Sequence, residues 1–382
     1  MAFDFDTAID RSGTDSMRWD TYAGKDVLPL WVADMDFSAA PCILDALKER
    51  VAHGVLGYSH CPHQFNHLIA QHLYEQYSWS VDPDWIVVLP SVISGLYTAV
   101  RALTEFNQSV IVPQPIYHHL KLACTEASRE FCEFSLQLEE GRWVYPKDLG
   151  SSHAFMSAQY RPKLALFCNP QNPGSTVFTA EELMHFADFC LEQDVWICSD
   201  EIHAGLVLDE NKTHIPIASL SKDISDRTVT LMSVNKTFNI PGIGLAWAVA
   251  ENPALRKAMQ TGLYQTITGP SALAYTATQA ALKEGEPWRR ELLRYLRGNR
   301  DLIESNLRGM ESLSLSNLEG SYLAWIDCSK LLHSNPHQIL LDAGLATSPG
   351  SQFGQSEFVR LNFGTQRSRL IQALSIIQSV CK

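Results

Sequence analysis

No Cys-X-X-Cys pair occurs among the nine cysteines of this 382-residue chain, and no spacing between them suggests a framework. In a chain this long, that excludes a disulfide scaffold and points to reduced thiols in a cytoplasm. Cys168 and Cys198 fall inside apolar runs and read as core fillers. Long hydrophobic runs are missing as well, so no segment reads as a membrane span. The start, MAFDFDTAIDRSGTDSMRWD, has no basic region ahead of an apolar stretch and does not read as a secretory signal. Positive charge is in deficit, with 30 Lys and Arg against 42 Asp and Glu and a formal net charge of −12. Nucleic acid and anionic membrane surfaces are poor partners for such a chain, and a small-molecule enzyme is the expectation.

Repeats and low-complexity tracts are also absent, so any domain boundary is compact. What is present is apolar surface, 46% of residues, in a chain longer than one core usually organises. From about residue 85 to 250, short apolar runs alternate with amphipathic ones: WIVVL, SVIVP, KLALFCNP, VWICSD, VTLMSVNK and GLAWAVA. Strands apolar throughout, separated by helices, predict an α/β fold with a mostly parallel sheet covered on both faces. Thr179-Ala-Glu-Glu182 is a capping box, opening a helix with Leu183, Phe186, Ala187 and Cys190 on one face. Ser38 to Gly54 reads as a helix with a Ser cap and a buried face of Ile43, Leu44, Leu47 and Val51. The character shifts after residue 270 to charged helices and then SYLAWIDCS and FVRLNFG. The expected division is an N-terminal segment, 1–45, packing on the small domain, then a large domain, 46–270, and a small α+β domain, 271–382.

Polar residues gather where apolar runs end, at Asn169 to Asn172, at Asp200 and at Lys236. In open α/β sheets, ligands sit beyond the carboxyl ends of the strands, so three strands aim chemistry at one place. A pyridoxal-phosphate site needs an amine for the Schiff base, a carboxylate for the pyridine nitrogen, a donor for the ring hydroxyl, an aromatic face and a phosphate cup. Lys236 follows an apolar strand, where a dry pocket would lower its pKa. Each residue also has a plainer reading alone: Lys236 as a surface lysine, Asp200 as a helix cap, Asn172 as part of a Pro-rich turn. Their order and spacing carry the case.

At this point the chain resembles the fold-type-I pyridoxal-phosphate enzymes of the aspartate aminotransferase superfamily, and within them the MalY/PatB group of cystathionine β-lyases, or C-S lyases. The motifs are Leu30-Trp-Val-Ala-Asp-Met-Asp-Phe37, Gly57-Tyr-Ser-His60, Asn169-Pro-Gln-Asn-Pro-Gly174, Ser199-Asp-Glu-Ile-His203, Ser233-Val-Asn-Lys-Thr-Phe-Asn-Ile-Pro-Gly242 and Phe358-Val-Arg-Leu-Asn362. The resemblance implies that Lys236 bonds the cofactor and shuttles the Cα proton, Asp200 pairs with the pyridine nitrogen, and Asn172 and His203 lie at the ring oxygen. It implies that Tyr117 lies against the ring, and Tyr117 and Lys236 are both candidates to protonate the leaving sulfur. It also implies that the N–H groups of Val92 and Ile93, with the Ser233 hydroxyl, hold the phosphate. Tyr58 corresponds to a tyrosine that reaches the cofactor phosphate of a neighbouring subunit, implying a homodimer with shared sites. Arg360 corresponds to the arginine that holds the substrate carboxylate, and Asp34 is placed on the substrate side.

Three departures stand out. Gly174 follows Pro173 directly where relatives have one more residue, which implies a shifted Asn172. Phe363-Gly-Thr-Gln-Arg367 after the RLN triplet is atypical and bears on the pocket wall near Arg360. Gly244 stands where aminotransferases often carry a second phosphate-binding arginine, which favours the lyase group. The implied reaction is α,β-elimination on an L-cysteine thioether, with an aminotransferase and a regulatory binding protein retaining the fold as the alternatives. His60, Cys61, His63, His67 and His72 match no common zinc spacing, and no metal is expected.

Overall fold

The computed structural model describes residues 3–150, 160–264, 268–331 and 335–381. The apolar runs between residues 85 and 250 become strands β1 (Ile86–Leu89), β2 (Ser109–Gln114), β4 (Pro162–Cys168), β5 (Trp196–Asp200), β6 (Thr228–Met232) and β7 (Ala246–Val249). A further strand, β3 (Glu130–Ser135), escapes the apolar pattern because it is an edge strand carrying Glu130 and Glu133. Together they form a seven-stranded sheet in the order β1-β7-β6-β5-β4-β2-β3. Only β7 runs antiparallel to its neighbours; the other pairs are parallel. Register then decides what meets at the carboxyl edge. Asp200 lies opposite Cys168 on one side and Leu231 on the other, so the loops after β4 and β6 flank it.

Helices named here are α1 (Pro41–Ala52), α2 (Phe65–Tyr77), α3 (Val92–Leu103), α4 (His118–Glu126), α5 (Ala180–Glu192) and α6 (Ala272–Glu284). The Thr179 capping box forms, and Leu183, Phe186, Ala187 and Cys190 are fully buried. Burying a large apolar side chain of this kind stabilises by about 1.5–3 kcal/mol. The first helix differs from expectation. Its N-cap is Ala40 without a side-chain bond, because Pro41 at the first helical position fixes the start. Ile43 is buried, but Leu44 and Val51 are exposed.

The carboxyl-terminal sheet contains β8 (Leu323–Asp327), β9 (Ser348–Pro349) and β10 (Phe358–Asn362). There Arg360 pairs with Trp325 on one side and Ser348 on the other. Leu28–Pro29 adds in parallel to Leu345–Ala346, tying the N-terminal segment to this region. Among the described residues, no helix is long and apolar enough to cross a membrane, and no group of three or more metal-ligating side chains converges.

Candidate active site

Lys236 stands four residues beyond β6, and its Nζ donates to the Ala33 carbonyl at 2.5 Å. Desolvation, with repulsion from Arg360, lowers its pKa to about 8. Asp200, at the end of β5, is buried and accepts one bond, from the Ile202 N–H at 3.2 Å. Burial pushes this carboxyl up to about 7. A buried carboxylate this poorly compensated fits a cationic ring nitrogen. Glu201 turns to the other side, where Ser199 donates at 2.8 Å and His214 Nε2 lies at 2.7 Å. That anchoring explains why the motif needs its second acid: it fixes the backbone from which Asp200 projects.

The shortened turn brings Asn172 to Arg360. The Asn172 Oδ1 accepts from Arg360 Nη1 at 3.0 Å. The turn closes with glycine because a β-carbon at Gly174 would sit 2.4 Å from Trp143 Cδ1. Arg360 is buried, and its Nη2 also donates to the Trp31 carbonyl and the Ser348 hydroxyl, each at 3.2 Å. His203 is buried and neutral, since desolvation, then Lys236 and Arg360, lower its pKa to about 3. Among the described residues, nothing hydrogen-bonds His203 Nδ1 or Arg360 Nε. Orphaned buried groups around one space mark a ligand site. Tyr117 is half-buried, with burial raising its pKa to about 12 and Arg360 opposing the rise.

The N–H groups expected to bind phosphate fall on α3. Ser91 caps it, accepting from Ser94 N at 3.0 Å, so Val92 and Ile93 present first-turn N–H groups. Gly244 closes on this turn: a β-carbon there would meet the Pro90 carbonyl at 2.6 Å, leaving no room for an arginine. Two of the expected side chains are already engaged within the chain. The Ser233 hydroxyl already donates to the Leu245 carbonyl at 2.7 Å, so it reaches a phosphate only by turning. The Asp34 carboxylate is held by Arg11 at 2.6 Å, with Arg18 at 3.7 Å, and that pairing removes it as a free substrate contact. Tyr58 is fully exposed within its own chain.

The role of the segment 31–37 could not be read from sequence. Its carbonyls are held by side chains distant in the chain. Asn362 Nδ2 donates to Val32 and Asp34 (2.5 and 2.6 Å), Tyr322 Oη to Ala33 (2.9 Å), and Asn239 Nδ2 to Met35 and Phe37 (2.9 and 2.7 Å). Arg360 and Lys236 hold the carbonyls of Trp31 and Ala33 as described. The segment is thus a strap laid across the site. Tyr322 carries no motif signal at all. Asn362 belongs to the RLN triplet, though its task is visible only in three dimensions.

An amine, a desolvated acid, an aromatic ring and a helix start with free N–H groups therefore meet the demands of pyridoxal phosphate. Comparisons agree. A model of the aminotransferase class I and II family matches residues 25–377. Cystathionine beta-lyase PatB of Bacillus subtilis (strain 168) is 33% identical over 388 residues, covering 98% of this chain and 99% of that protein. The crystal structure of OvoB matches with a TM-score of 0.96 at 42% identity, covering 100% of this chain and 99% of the other. A pyridoxal-phosphate-bound C-S lyase of Staphylococcus hominis matches with a TM-score of 0.93 at 25% identity, covering 100% and 99%. With that match across nearly its whole length, the chain belongs to the aminotransferase class I and II family and is a pyridoxal-phosphate-dependent enzyme.

Proposed function

We propose that this enzyme is a carbon–sulfur β-lyase that cleaves L-cysteine S-conjugates such as cystathionine to a thiol, pyruvate and ammonia. The observation that carries the reading is the Lys236 amine, titrating at about 8 among Asp200, Asn172 and Arg360. Elimination over transamination is supported by Gly244 and by relatives named as β-lyases.

Lys236, Asp200, Asn172, His203 and Tyr117 would hold the cofactor, with Val92, Ile93 and Ser233 at its phosphate. When bound, pyridoxal phosphate supplies an electron sink for the pair left at the substrate Cα. Arg360 takes the substrate carboxylate through its paired N–H groups, exchanging its contacts with Asn172 and the Trp31 carbonyl. The Lys236 amine removes the Cα proton, since a base near pKa 8 is neutral in roughly a tenth of molecules at pH 7. The departing sulfur is protonated by the Lys236 ammonium rather than by Tyr117, whose hydroxyl at about 12 is the weaker acid. The strap excludes water above these groups.

The working unit of this reading is a homodimer. Leu44 and Val51 on α1 and Val55, Leu56 and Tyr58 just beyond it are all exposed, which supports burial against a second copy. The cysteine pattern supports a cytoplasmic setting. For the domain division, residue 45 falls inside α1, so the first boundary fits better before Pro41, and the packing of α6 on α1 and α2 supports Gly285 over 270 as the second. The test is pyruvate release from cystathionine against 2-oxo-acid-dependent amino transfer. Rapid transfer without pyruvate from any thioether would make the enzyme an aminotransferase.

A further inference from the structure

His118 opens α4 directly after Tyr117, and no step above uses it. Its ring lies 4.7 Å from the Tyr117 ring, 4.6 Å from His119 and 6.3 Å from Phe353. The Arg360 guanidinium lies over that same Phe353 ring, 4.6 Å from its centroid. Among the described residues, nothing hydrogen-bonds His118 Nδ1, although solvent does not reach it; Arg360 Nε is in the same state. An unpaired buried polar atom is costly, and two against one phenyl ring imply a shared external partner. Desolvation, then His119 and Arg360, lower the imidazole to about 4, so it is neutral near pH 7 and has one N–H to give.

We propose that His118 is a second anchor for the substrate α-carboxylate, donating an N–H to an oxygen of the group that Arg360 holds. Even after Arg360 exchanges its contacts with Asn172 and Trp31 for the carboxylate, its paired donors leave lone pairs on that group open to a second donor. A neutral imidazole adds a donor without placing a second cation beside the guanidinium. The consequence is discrimination for an acid over the corresponding amide, beyond what Arg360 provides. The inference rests on the assignment of Arg360 to the carboxylate.

The probe is 3-(methylthio)propanoate, a thioether acid with no amine to react with the cofactor, titrated calorimetrically into the holoenzyme beside its amide. H118F should weaken acid binding by about tenfold, the scale of one charge-assisted hydrogen bond, and cost the amide several-fold less. H118N, which keeps an N–H donor, should restore most of the loss. With cystathionine, the same H118F defect should raise KM and spare kcat. H118A replaces H118F should the latter fail to fold. Unchanged acid binding, or equal loss for acid and amide, overturns the proposal. R360K separates the two assignments: if it too binds the acid as the wild type does, the Arg360 reading is what fails.

Discussion

Asp200 is held in a state that favours cofactor binding over stability of the bare protein. Its folded-state pKa of about 7 lies above the usual 3.8, so folding is unpenalised below about pH 4, increasingly penalised between about pH 4 and 7, and fully penalised above 7. The full penalty is on the order of 4 kcal/mol. D200N should therefore raise the melting temperature of the cofactor-free protein at pH 8–9, with the gain fading towards pH 4. The same variant should bind pyridoxal phosphate at least tenfold more weakly, the ion pair being lost. An apoprotein destabilised by D200N at pH 8 would mean that Asp200 is structural. Gly244 gives a second prediction at this scale. G244A drives a β-carbon against the Pro90 carbonyl at 2.6 Å, displacing the start of α3. Cofactor affinity should fall by about tenfold or more, read by equilibrium dialysis, while the fold survives. Both residues were legible as motif positions. Ser233 and Asp34 were legible too, but their hydrogen bonds to Leu245 and Arg11 redirect their side chains, and a motif does not encode such bonds.

At the scale of elements, the strands were legible because parallel strands buried on both faces are apolar without alternation. β3 was missed for the complementary reason: an edge strand keeps Glu130 and Glu133 at its surface. The strap 31–37 is the harder case. Its letters marked a family, but its physical basis is a set of carbonyl acceptors satisfied from residues 239, 322, 360 and 362, which no local pattern reports. Asn362 is fully buried and bridges two of those carbonyls. N362A should cost about 2–4 kcal/mol in denaturant unfolding. It strips the Val32 carbonyl and the Gly364 N–H of their partner while Arg18 still holds the Asp34 carbonyl, and each unpaired buried group costs roughly 1–3 kcal/mol. Because the Ala33 carbonyl between Val32 and Asp34 aims at Lys236, the pH optimum of pyruvate release should also move. A stability loss with an unshifted pH profile would reduce the strap to packing.

At the scale of the whole molecule, Tyr58 decides whether one chain suffices. Its side chain faces solvent, as do those of Val55 and Leu56. If it completes the phosphate cup of a second copy, each site draws Tyr58 and Lys236 from different chains, as an isologous two-fold interface permits. Y58A and K236A homodimers should then each be strongly impaired, while subunit exchange between them should restore activity. In the hybrid, one site combines the intact Lys236 of one chain with the intact Tyr58 of the other, and its second site carries both defects. With half of the dimers hybrid after full exchange, regain should approach about a quarter of wild-type activity. Were Tyr58 to act within its own chain, every site in the mixture would keep one defect. No regain would appear despite exchange verified by a mass tag, and the shared-site homodimer would be abandoned.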